Sequence, residues 1–199
     1  YYSNYSCFDL NFKNIEKKNI NIKNIYLNLL GKHNVLNATA AIVVCLSLGI
    51  KENILKKSLK KFSGVQRRMT KIFSKNKNDF YDDYAHHPTE IISILNGVRN
   101  AFKNRKIVSV FEPHRYSRVL SLKTEFAKSF LQSNLVILCP LYAAGEKRNI
   151  KYNQLKFGKM ISKFSKTQVI LLKNYDELGN YLRKTLTRDE IIIGMGAGS

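Results

Sequence analysis

Downstream of residue 65, short runs of Ile, Val, Leu and Phe alternate with longer stretches that carry apolar residues at helical spacing. The runs fall at about 69–73, 79–81, 107–111, 135–139, 169–172 and 191–194, and the periodic stretches at 88–102, 117–132, 153–164 and 175–185. Strand, helix and strand in this succession connect by right-handed crossovers, so the pattern predicts an α/β fold with a mostly parallel sheet covered on both faces. Ile107-Val108-Ser109-Val110-Phe111, Leu135-Val136-Ile137-Leu138 and Ile191-Ile192-Ile193 lack polar alternation, as strands buried on two sides do. Pro88 suits a first helical turn, where its missing N–H has no partner to lose.

Before residue 65 the rhythm differs. Residues 20–30 alternate through Ile22, Ile25, Leu27 and Leu29 and read as a strand ending at Gly31. Residues 34–48 are apolar nearly all round, which predicts a buried helix stopped at Gly49. Residues 51–62 form an amphipathic helix through Ile54, Leu55, Leu59 and Phe62, ended by Ser63-Gly64. A boundary therefore falls between 1–63 and 64–199.

With 199 residues, 44% of them hydrophobic, the chain can bury a real core. Its longest apolar run, 38–48, is too short to span a bilayer and no basic leader precedes it, so a soluble protein with no membrane partner is expected. Cys7, Cys45 and Cys139 are odd in number and far apart, which fits a reducing cytoplasm better than a disulfide framework. The net charge of +20 invites a nucleic-acid partner, but the cations are spread over both parts of the chain. Lys supplies 25 of the 34 cations, and Asn and Ile are also abundant, as an AT-rich coding sequence would produce. No nucleic-acid partner is expected, although the basic surface favours anionic ligands in a salt-dependent way.

Polar chemistry collects at element ends. Asp82-Asp83-Tyr84-Ala85-His86-His87-Pro88-Thr89-Glu90 follows one predicted strand, Pro113-His114-Arg115-Tyr116-Ser117-Arg118 the next, and Tyr142-Ala143-Ala144-Gly145-Glu146 the one after. Parallel strands bring such loops to one edge of the sheet, where ligands of open α/β sheets bind.

Each cluster has a plain reading beside the functional one. Asp82, Asp83, His86 and His87 contain metal-ligand types, but their spacing favours a polar ligand site, with an Asp on ribose hydroxyls and a His capping the helix. Arg115 and Arg118 are two solvated cations or a shared grip on one carboxylate or phosphate, and Arg67-Arg68 beside Gly64 offers a phosphate contact. Arg is scarce in this Lys-rich chain, which weights both pairs toward recognition. His33-Asn34 and Asn37 stand at a helix start, as a cap or against a purine edge. Gly194-Met195-Gly196-Ala197-Gly198 follows a strand without a following helix and carries little weight as a phosphate loop.

Taken in order, Gly31-Lys32-His33-Asn34-Val35-Leu36-Asn37-Ala38, Gly64-Val65-Gln66-Arg67-Arg68, the Asp82–Glu90 run, Phe111-Glu112-Pro113-His114-Arg115-Tyr116-Ser117-Arg118 and Tyr142-Ala143-Ala144-Gly145-Glu146 resemble the UDP-N-acetylmuramate:L-alanine ligases of the Mur ligase family. The resemblance covers about 31–199. It implies the end of a central ATP-binding domain followed by a C-terminal Rossmann-like domain. It also implies ligation of L-alanine to UDP-N-acetylmuramate through an acyl phosphate, in peptidoglycan precursor synthesis, with ATP and Mg2+ as cofactors. By that resemblance His33, Asn34 and Asn37 hold adenine, Asp83 the ribose, and Arg67 with Arg68 the phosphates. Tyr84, His86, His114, Arg115 and Arg118 line the alanine side, with His86, Arg115 and Arg118 as catalytic candidates and the two arginines as a carboxylate clamp.

The chain departs from that family in two ways. It contains no G-x-x-G-K-[ST] run, so it reads as a C-terminal part that does not ligate alone, and the magnesium ligands are expected mostly outside it. Glu112 stands where many relatives are expected to carry Gln, adding a negative charge near the clamp. The alternatives are a ligase recycling murein tripeptide, a basic nucleic-acid-binding module and a remnant that only folds or docks.

Overall fold

The computed structural model describes residues 5–15, 18–29 and 31–198. Leu30, closing the strand read over 20–30, and Ser199 lie outside the described residues. Two compact units emerge: the described residues up to Val65 with Asn100–Phe102, and Gln66–Arg99 with Lys103 onward.

In the first unit, β1 (Ser6–Ile15) pairs antiparallel with β2 (Lys18–Leu27), followed by α1 (Lys32–Ser47) and α2 (Glu52–Lys61). Ile22, Ile25, Ile42 and Leu55 form its core. Ile22 and Ile25 are three residues apart, which in a regular strand sends them to opposite faces. A bulge resolves this: Asn24 takes φ +55°, its N–H donates to Asp9 Oδ1 at 2.7 Å, and the register shifts so that Leu10 pairs Ile22 while Phe8 pairs Ile25. The first strand was not read from the sequence. The predicted burial of the helix over 34–48 also needs correction, since α1 buries the stripe Asn34, Ala38 and Ile42 while Leu36, Val44 and Leu48 are 58%, 57% and 74% exposed.

The second unit is a six-stranded sheet in the order β3-β4-β8-β5-β6-β7. Its strands are β3 (Thr70–Lys75), β4 (Asn78–Asp83), β5 (Lys106–Phe111), β6 (Leu135–Leu138), β7 (Gln168–Leu171) and β8 (Glu190–Met195). Only β3 runs antiparallel to its neighbour; the pairs β4–β8, β8–β5, β5–β6 and β6–β7 are all parallel. The crossovers are α3 (Pro88–Ala101), α4 (Tyr116–Ser121) with α5 (Lys123–Lys128), α6 (Gln154–Ser165) and α7 (Asp176–Thr185).

Side-chain alternation assigns the faces. Val108, Val110, Ile137, Cys139 and Ile192 pack with Leu178, Tyr181 and Leu182 of α7. On the opposite face Phe111 meets Phe126 of α5 and Phe130, at ring distances of 5.6 and 5.2 Å. The single helix predicted over 117–132 is two short helices, because Leu122 leaves helical geometry at φ −114°, ψ 24°. Ser121 Oγ donates to the Arg118 carbonyl there, competing with the backbone ladder as serine hydroxyls do.

Candidate active site

β4, β8, β5 and β6 end at one edge of the sheet, and the predicted polar loops rise from it. Asp83, last residue of β4, is buried; its Oδ2 accepts the Met69 N–H and its Oδ1 the Ala85 N–H, each at 2.8 Å. Burial pushes its carboxyl up to about 6 even though both amides favour the charged form. Asp82 points to the other face, half-exposed, and accepts from Arg67 Nε at 3.2 Å. Arg67 also donates to the Gly198 carbonyl at 2.8 Å and the Gly196 carbonyl at 2.7 Å, with its guanidinium 5.0 Å from the Tyr84 ring centre. Arg68 is exposed beside it. The glycine-rich run given little weight in the sequence thus lies at the centre of the Arg67 network.

From Tyr84 a row of rings crosses the edge. Tyr84 and His86 lie 5.1 Å apart, His86 and His114 5.7 Å, and His114 and Tyr142 5.5 Å. His86 Nδ1 is 2.8 Å from the Tyr84 carbonyl, which can only accept, so Nδ1 carries the proton and Nε2 is left as the acceptor. His114 has the opposite arrangement: Arg118 Nη1 donates to its Nδ1 at 3.0 Å, leaving Nε2–H as donor. Burial first, then the charges of Arg118, His86 and Arg115, holds His114 below the usual imidazole value. His87 serves α3, its Nδ1 accepting from Thr89 N–H at 3.4 Å while Glu90 Oε2 accepts the His86 and His87 amides at 3.0 and 3.1 Å.

Arg115 is exposed at the start of α4, with φ +68°. Its N–H donates to the Tyr142 carbonyl at 2.9 Å, and the Tyr142 N–H donates to the Pro113 carbonyl at 2.8 Å. The loop after β6 therefore sets the height of the Arg115–Arg118 pair. Tyr142 and Glu146 stand out in the sequence only by their position after the next parallel strand.

On the α7 face a cleft of about 460 Å3 opens between Asp82, Glu112, Cys139, Tyr175 and Gly196. Glu112 accepts from the Tyr175 hydroxyl and from the Gly198 N–H, the latter at 3.2 Å. A Cβ on Gly198 would land on the Glu112 carboxylate, and one on Gly196 would sit 2.9 Å from Glu112 Cβ, so this approach requires glycine. Cys139 is buried there and its thiol is pushed up to about 12 by burial, which leaves it unreactive. Among the described residues no three His, Cys, Asp or Glu side chains converge as a metal-ligand set.

His33, Asn34 and Asn37 belong to the first unit. The α1 cap is Gly31, with no side-chain hydrogen bond, so the capping role considered for His33 or Asn34 is not the one they play. The His33 ring lies over Gly31, Asn34 is buried and Asn37 is exposed.

The family model "Mur ligase, glutamate ligase domain" matches residues 67–198. A UDP-N-acetylmuramate–L-alanine ligase of Pelagibacter ubique is 48% identical over 195 residues, covering 98% of this chain and 42% of the relative. The corresponding enzyme of Desulforapulum autotrophicum is 38% identical, covering 87% of this chain and 38% of the relative. The chain thus spans about two fifths of the length of these relatives. Among solved structures, UDP-N-acetylmuramate-alanine ligase of Thermotoga maritima superposes with TM-score 0.73 at 27% identity, over 88% of this chain and 36% of that one. A murein peptide ligase of Psychrobacter arcticus superposes at 0.67 with 21% identity, over 98% of this chain and 39% of that one, and shares the fold.

Proposed function

This chain belongs to the Mur ligase family, and on that premise we propose that it supplies the amino-acid-binding side of a UDP-N-acetylmuramate:L-alanine ligase. The observation that carries the reading is the row His86–His114–Tyr142, with Arg118 bonded to His114 and the Arg115 N–H to the Tyr142 carbonyl. Two arginines three residues apart at the start of α4 can share one carboxylate. The 48% and 38% identical relatives are both named as alanine ligases, which favours alanine over a murein peptide.

ATP would pass its γ-phosphoryl group to the lactyl carboxylate with release of ADP, and attack of the alanine amine on the resulting acyl phosphate would form the amide and expel inorganic phosphate. In this reading Arg115 and Arg118 hold the alanine carboxylate. His86 Nε2 accepts a proton from the ammonium group, and His114 Nε2–H faces the charge that grows on the attacked carbonyl. Arg67, Arg68 and Asp82 line the approach for phosphate and ribose. Each Asp83 oxygen keeps a lone pair beside its amide bond, but the residue is buried, so a sugar hydroxyl reaches it only where the loop above opens. His33, Asn34 and Asn37 are assigned to adenine. The described residues contain no ligand cluster for magnesium, so none of them is assigned to it here.

The test is phosphate release from ATP by the enzyme carrying this chain. Release is expected only with both UDP-N-acetylmuramate and L-alanine present, and Arg115→Ala and Arg118→Ala each raise the KM for alanine. Equal turnover without the amino acid overturns the proposal.

A further inference from the structure

We propose that Glu146 is the positioning residue of the alanine clamp, acting through Ser117 to hold Arg115 in place; the inference rests on the function proposed above. Arg115 occupies a left-handed backbone conformation, φ +68°, that a side chain other than glycine adopts only when its surroundings impose it. Two constraints flank it. On one side its own N–H is tied to Tyr142 O. On the other, Ser117 is gripped twice by the Glu146 carboxylate, through N–H to Oε2 at 3.0 Å and through the hydroxyl to Oε1.

Tyr142 and Glu146 come from the same loop. Between them Ala144 at φ +51° and Gly145 at φ +83° reverse the chain, and the Glu146 N–H closes the turn on the Ala143 carbonyl at 3.0 Å. The loop after β6 therefore holds the segment after β5 at two points, residues 115 and 117, with Arg115 strained at the first of them. Cutting the second point lets the first turn of α4 relax and the guanidinium swing. Glu146 itself is half-buried, and its carboxyl is held below the usual range first by the Ser117 hydroxyl, then by the Ser117 amide, with Arg115 contributing more weakly. Glu146 thus acts by where it holds Arg115; it is not placed to touch the reacting atoms.

The test uses the enzyme that carries this chain. In Glu146→Ala the KM for L-alanine is expected to rise about tenfold with kcat within threefold, the size a misplaced clamp produces. KM for ATP and for UDP-N-acetylmuramate stay unchanged, as does Tm. Glu146→Gln keeps an acceptor for Ser117 and recovers most of the alanine KM, while Ser117→Gly reproduces the Glu146→Ala effect and adds nothing to it in the double variant. An unaltered alanine KM in Glu146→Ala, or a rise in all three KM values together with a lowered Tm, overturns the inference. If the parent enzyme does not depend on L-alanine at all, it is the proposed function that fails.

Discussion

Arg118 and His114 meet one helical turn apart, Nη1 to Nδ1 at 3.0 Å, so that a single guanidinium bond decides which nitrogen of the ring carries the proton. The imidazole is held below its ordinary value of 6.5, by burial first and by the Arg118 charge second. The unfolded chain then takes up this proton before the folded one does as pH falls. Stability from this site is complete above about pH 6.5 and is lost on acidification below it. Arg118→Met is expected to raise the His114 pKa by part of the shift, read by imidazole NMR, and to make the acid-side loss shallower. A lower or unchanged value would remove Arg118 as a cause.

Asp83 carries the opposite sign. Its folded value of about 6 lies above the ordinary 3.8, so the folded state binds the proton more tightly and stability falls as pH rises through this interval. Asp83→Asn should flatten urea-unfolding stability between about pH 4 and pH 6. It also leaves one of the two backbone amides facing an NH2 group, costing about 1–3 kcal/mol. An unchanged pH slope would show that another group sets it.

At the opposite edge of the sheet Arg105 ties two segments to its own, donating to Asp79 and the Lys77 carbonyl, the latter at 2.7 Å, and to the Glu190 carbonyl and Asp189, each at 2.9 Å. Burial opposes the charge on Asp79, but hydrogen bonds from Lys71, Ser74 and Arg105 outweigh it and hold the carboxyl far below the usual range. Arg105→Ala should cost roughly 1–3 kcal/mol in urea unfolding, since the Lys77 and Glu190 carbonyls lose their donor while Lys71 and Ser74 still hold Asp79. Arg105→Lys should recover little of this, because an ammonium cannot span these directions.

Gly198→Ala forces Glu112 away from Tyr175 and from its own backbone contact. Because Glu112 is met at the flexible end of its side chain, the expected loss in thermal unfolding is that of the hydrogen bonds broken, about 0.5–1.5 kcal/mol. Adding Glu112→Ala should relieve part of it, and strict additivity would show that the two residues do not meet.

The alternation of apolar runs made the strands of the second unit legible to within a few residues, most sharply β5, β6 and β8, which are buried on both faces and carry a continuous signal. What the period could not give was order. β8 comes last in the sequence yet lies between β4 and β5, so Gly196 and Gly198 reach Arg67 and Glu112 from a segment that sequence distance seemed to isolate. The β1 strand was obscured by Asn and Lys between its apolar residues, and the bulge at Asn24 breaks the period of its partner. Among site residues, the motif runs were visible as clusters of His, Arg and Asp. The inward turn of Asp83, set by two amides, and the grip of Glu146 on Ser117 depend on three-dimensional neighbours that no local pattern records.

The place of β8 also governs how the nascent chain can fold. Until residues 190–195 are synthesised, the inner edges of β4 and β5 have no strand to bond, and two rows of backbone N–H and C=O groups stay unpaired. Sheet closure is therefore a late event that waits on distant residues, and cells making this chain have reason to shield the half-built sheet from neighbouring chains until its middle strand is available.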